Sequence, residues 1–239
     1  MNRTKSKLPW VVGLCFASCL FGIAAALWNW GATEVRANAA AVFTLTLIGT
    51  IWILLTFKIF PWLGLSYEYD VTDCGNTAAM IALCGAMIAV STLYAGGSLG
   101  EGPSYLENFF SAGLGTSAWV FLWLFLEMTA KVSVSITEDR DLASGLRFCG
   151  LLVATGVLLG RATAGNWVSE VAAIRDLFRD GWPAAALLII AVPVEWQVKP
   201  RPARPLPSWM IYGALPALFY LGLAVIWLWH LGRWEGMPQ

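Results

Sequence analysis

Apolar residues along this chain gather into seven long runs separated by short polar stretches, and no run carries an ionisable side chain near its centre. A helix of about 20 apolar residues crosses the hydrocarbon core of a bilayer. The runs therefore predict spans at 9–30, 39–60, 76–95, 109–130, 143–163, 182–197 and 208–230. The predicted fold is an all-α polytopic integral membrane protein, a helical bundle forming one transmembrane domain over residues 1–239. The sixth run is short, with Pro183 at its start and Pro193 near its end. If it failed to cross, the alternative would be six spans plus a re-entrant segment. Before it, residues 165–181 place Trp167, Val168, Val171, Ile174, Leu177 and Phe178 at helical spacing against Glu170, Arg175, Asp176, Arg179 and Asp180. That pattern predicts either an interfacial helix lying flat on the outer leaflet or a lid packed on the bundle.

Composition agrees with lipid as a solvent. The chain is 58% hydrophobic and 13% charged, against roughly 25% charged in soluble domains. Many of its 14 Trp stand at the ends of the apolar runs, where indole rings favour the headgroup zone. A net charge of zero gives no reason to expect a nucleic-acid partner. The five cysteines form no C-x-x-C pair and mostly lie inside apolar runs, so no disulfide framework is expected. The first run is too long for the core of a cleaved signal peptide.

Basic residues set the orientation. With the N-terminus in the cytoplasm, Arg3, Lys5, Lys7, Lys58, Lys131, Arg140, Arg147, Lys199, Arg201 and Arg204 fall inside, and Arg36, Arg161, Arg175, Arg179 and Arg233 outside. With seven crossings the C-terminus is outside, and a bacterial inner membrane is the expected location. The segment 197–207, with Pro at every second or third position, reads as a stiff extended basic connector.

Small residues recur at four-residue spacing: Gly156, Gly160 and Ala164; Ser18, Gly22 and Ala26; Ala78, Ala82 and Ala86; Ser111 with Gly115, and Gly113 with Ser117. Such rows let helices approach closely. They predict packing within the chain, with a partner subunit or a second copy as the alternative.

Little in the sequence carries catalytic chemistry. One histidine, His230, excludes bis-His haem and His-rich zinc sites, and there is no P-loop, G-x-S-x-G or dinucleotide fingerprint. No catalytic residue, cofactor or metal is assigned. Glu68, Asp70 and Asp73 form an acidic patch without a third set of ligands. Two polar groups are candidate sites. On the cytoplasmic side, Glu127 and Lys131 stand at helical spacing, and Arg147 needs a partner from another helix, with Glu127 as the expected one. Thr137, Glu138 and Asp139 read as the capped first turn of the fifth helix. On the outer side, a loop rich in glycine carries Glu101 and Glu107, which Arg161 is expected to face. The central polar groups are hydroxyls, Thr44, Thr46, Thr50, Thr116, Ser117 and Thr155, able either to line a path for a small solute or to bond the preceding turn. The absence of deep ionisable groups ranks a non-catalytic component of a membrane complex (scaffold, assembly factor or subunit) first. A transporter or channel for a small solute comes second, and an intramembrane enzyme acting on lipid third.

Overall fold

The computed structural model describes residues 7–200 and 208–232. Seven helices long and apolar enough to cross a bilayer make it a polytopic helical bundle: α1 Leu8–Trp30, α2 Ala39–Phe57, α3 Thr77–Gly97, α4 Tyr105–Ala130, α5 Leu142–Ala162, α6 Glu170–Val198 and α7 Met210–Leu231. The described residues contain no strand. Polar caps mark the helix starts. Asn38, Asn76, Ser104, Asp141 and Ser169 each accept hydrogen bonds from the first turn of the helix that follows, taking up amides that the helix itself leaves without acceptors.

Two helices, α3 and α5, form the centre. They are the most buried spans, and they share the most extensive interface. Glycine makes this possible. A Cβ at Gly96 would lie 2.0 Å from the Gly160 carbonyl oxygen, one at Gly160 would lie 2.6 Å from that of Thr92, and one at Gly156 would lie 2.6 Å from the Ala89 Cβ. Backbones touch along this seam, so dispersion contacts hold helices between which the hydrophobic effect supplies little drive. The helices α1 and α2 pack on the α3 side, α6 and α7 on the α5 side, and α4 borders α3, α5 and α6.

The rows on α3 and α5 pack inside the chain. The first-span row does not: Ser18 and Gly22 are exposed on α1, and a Cβ at Gly22 would meet nothing within 4 Å. Spacing alone does not say which face a row occupies.

The sixth span crosses as one helix of 29 residues, which corrects two readings. Among the described residues no break sets off a re-entrant segment, or an interfacial helix ending at 181, from the rest of α6. The amphipathic stretch continues directly into the span as the first turns of α6. Gly181 lies 3.1 Å (by a notional Cβ) from a Leu159 methyl and 3.3 Å from the Ala162 Cβ. It serves close packing on α5, not a turn. Pro183 and Pro193 lie within α6 without ending it, as neighbouring helices allow in membrane proteins. The connector 197–207 begins later than expected, since Gln197 and Val198 are still helical; residues 201–207 lie outside the described residues, as do Arg3, Lys5 and Arg233.

Candidate functional site

A buried ion pair joins three helices near the face at which α1 begins. Arg147 is 0% exposed and Glu195 4%. Arg147 Nε donates to Glu195 Oε1 at 2.8 Å and Nη2 to Oε2 at 2.7 Å, a bidentate pairing of α5 with α6. The Nη2 group also donates to Ser144 Oγ at 3.0 Å, and that hydroxyl donates to Asp141 Oδ2 at 2.6 Å. The remaining terminal nitrogen, Nη1, donates to the Tyr212 carbonyl of α7. The sequence explains why that carbonyl is available. Residue 216, whose amide would bond it in a regular helix, is proline. The turn Met210–Ala214 is π-helical, a widening often found where a helix serves a polar partner. Tyr220 is 1% exposed, its hydroxyl has no hydrogen-bond partner among the described residues, and it lies within electrostatic reach of both Glu195 and Arg147.

The expected partner of Arg147 is thus corrected: it is Glu195, not Glu127. Glu127 instead accepts from the Ser133 amide at 3.0 Å and the Ser133 hydroxyl at 2.5 Å. Lys131 adopts a left-handed backbone with φ of 49°. It closes α4 and turns the chain away, so it does not extend the helix on which a Glu127–Lys131 pair would form. A short helix, Val132–Thr137, follows, and the cap of α5 is Asp141, which accepts from the Ala143 and Ser144 amides. Thr137, Glu138 and Asp139 precede that cap and do not supply it.

On the opposite face the glycine-rich loop is knitted to its neighbours. Gly100, with φ of +112°, lies so close to the Gly165 carbonyl that a Cβ would be 2.0 Å from it. The Trp167 amide donates to the Glu101 carbonyl at 2.8 Å, and the Glu101 amide donates to Asn166 Oδ1 at 2.9 Å. Glu101 Oε1 accepts from the Thr33 amide at 2.8 Å and the Thr33 hydroxyl at 2.9 Å. Glu107 closes a capping box with Ser104. Arg161 turns elsewhere, donating to the Gly232 carbonyl at 3.3 Å and sensing the charges of Asp180 and Arg179. The expected grouping of Glu101, Glu107 and Arg161 therefore separates into three local roles. Beside the loop lies an open cleft of about 720 Å³ with Glu34, Glu101 and Asn108 in its walls.

The Thr33 amide, then its hydroxyl, and in addition the nearby Arg36 hold the Glu101 carboxyl below the usual range. A carboxylate depressed in this way stabilises the fold above its unfolded pKa and ceases to do so as pH falls through the folded value. Hydrogen exchange read by mass spectrometry should show the Thr33 amide protected near neutral pH and losing that protection below the ordinary Glu range. In Glu101→Gln the profile should flatten. A wild-type profile without acid dependence would remove this role for the carboxylate.

Three of the six central hydroxyls bond their own helices: Thr46 to Val42, Thr50 to Thr46 and Thr155 to Leu151, each through the carbonyl one turn back. Thr116 accepts from the Trp52 indole at 3.1 Å. The void between Trp119, Trp123 and Leu188 measures about 10 Å³, no more than a single water requires. The five cysteines are free thiols, and the described residues contain no metal-binding group of His, Cys, Asp or Glu. Compared with known protein families, with curated proteins and with solved structures, the chain matches none.

Proposed function

We propose that this chain is a non-catalytic component of a membrane complex, acting as a scaffold, assembly factor or subunit. The observation that carries this reading is the internal use of its polar groups. Arg147 spends its donors on Glu195, Ser144 and Tyr212, and three of the hydroxyls that could face a solute, Thr46, Thr50 and Thr155, bond their own backbone instead. Transport needs a polar route between helices, and here α3 and α5 meet backbone to backbone at mid-height. An enzyme needs a nucleophile or an acid–base pair at one accessible place, whereas the main charged cluster is shut and fully paired. The α1 face with Ser18 and Gly22 offers a partner helix the same close approach that glycine gives α3 and α5. The greater number of Lys and Arg expected on one side of the membrane, 10 against 5 of the 15, supports a cytoplasmic N-terminus and an outside C-terminus.

The test is native mass spectrometry from mild detergent, with in-membrane cross-linking. A second chain or a second copy should be retained at fixed stoichiometry, and Gly22→Leu should release it while leaving the melting temperature unchanged. Solute flux in proteoliposomes, or turnover of a lipid by the purified chain, would overturn the reading. For orientation, an impermeant thiol reagent on spheroplasts should label Glu34→Cys and spare Lys58→Cys in a background lacking the native cysteines; the reverse pattern would invert the arrangement.

A further inference from the structure

A second cleft, of about 470 Å³, opens at the face at which α1 begins, between the segment after α2 and the segment before α5. Ser66, Asp70 and Cys74 line one wall, with Glu138 and Arg140 on the other. Asp70 is the unusual member. It lies in the π-helical turn Tyr67–Asp73 and is 5% exposed. Its Oδ2 accepts from the Ser66 amide at 2.7 Å, while its Oδ1 has no hydrogen-bond partner among the described residues. That oxygen is not one of the buried polar atoms left without a partner, so it stays open to the cleft, where a ligand's donor could take the place of water. Burial pushes the carboxyl up from its ordinary value, against the Ser66 amide, which pulls it down. A cationic donor reaching Oδ1 through the cleft would favour the charged carboxylate that burial of the rest of the side chain disfavours.

Two further features narrow the donor. The facing wall carries both signs, Glu138 and Arg140, both exposed, so it complements a dipolar group better than a bare cation. The cleft also adjoins the end of α2, where a span long enough to cross a bilayer would meet the headgroups. Pro61, in its wall, belongs to the turn Phe60–Leu63 that follows directly on α2, and the adjacent Trp62 is 85% exposed, a position suited to an interfacial indole.

We propose that this cleft binds the phosphoethanolamine headgroup of a membrane phospholipid, its primary ammonium donating to Asp70 Oδ1 beside Glu138 and its phosphate meeting Arg140. A choline headgroup carries no N–H to donate to Oδ1. A glycerol headgroup has no positive charge for the two carboxylates.

The full chain in detergent, offered equal amounts of phosphatidylethanolamine, phosphatidylcholine and phosphatidylglycerol with matched acyl chains, tests this by native mass spectrometry. The ethanolamine adduct should be preferred over the choline one by about ten-fold, the scale of one hydrogen bond to a charged group. In Asp70→Asn that preference should vanish. If Asp70→Asn does not fold, the exposed variants Glu138→Gln and Arg140→Gln carry the test, and each should weaken the preference. Equal binding of ethanolamine and choline lipids by the wild-type chain overturns the proposal, as does a preference that survives either Asp70→Asn or both exposed variants. Free phosphoethanolamine competing as strongly as the lipid would overturn the lipid source in favour of a soluble compound.

Discussion

Glu195→Ala is expected to cost about 3–5 kcal/mol of stability, the scale of leaving a buried charge without its partner. Arg147 has no exposure through which water could replace the lost carboxylate, and its bidentate pairing crosses from α5 to α6. A tryptophan-monitored thermal or denaturant melt in detergent reads the effect directly. The double variant Arg147→Met with Glu195→Leu removes both charges together and should melt close to the wild type, because a well-packed apolar pair often replaces a buried ion pair without loss. A single variant that melts like the wild type would mean that the pair contributes nothing to holding α5 and α6 together.

The second large effect is expected at the seam of α3 and α5. Gly96→Val places a branched side chain where even a Cβ would stand 2.0 Å from the Gly160 oxygen and 2.6 Å from its carbonyl carbon. The obstruction is backbone, so no rotamer relieves it. The loss should exceed the roughly 1–3 kcal/mol typical of an overpacked core, appearing as aggregated material in size-exclusion chromatography. Gly22→Val on α1, where the site is open, should change the melt by no more than about 0.5 kcal/mol, as surface substitutions do. Equal tolerance at both glycines would show that the seam is looser than its geometry indicates.

These two sites also mark what the sequence makes legible. Apolar length is a local property, so all seven spans could be read directly, most to within a few residues of their observed ends. The errors arise where one residue type serves two purposes. Gly181 and Pro183 look like punctuation, but Gly181 packs against Leu159 and Ala162, and Pro183 sits inside an unbroken helix. Thr137 and Asp141 are both plausible caps, and only the course of the chain after Lys131 selects Asp141. Arg147 advertised its need for a partner, yet Glu195 lies 48 residues away and Thr33 lies 68 from Glu101. Choosing Glu195 over Glu127 requires knowing that α6 runs beside α5. Asp70 read as part of a solvated acidic patch, because no periodicity distinguishes its buried carboxylate from the exposed ones of Glu68 and Asp73.

The clasp around Arg147 also constrains biogenesis. A ribosome adds roughly 5–20 residues per second, so the 48 residues between Arg147 and Glu195 take several seconds to emerge. During that interval the guanidinium is already at the membrane while its carboxylate is still being synthesised. Until α6 follows, the Arg147 guanidinium has no carboxylate to offset the cost of holding a charge within a span. The Tyr212 carbonyl is made later still, so the full set of Arg147 acceptors exists only once the final helix has been synthesised.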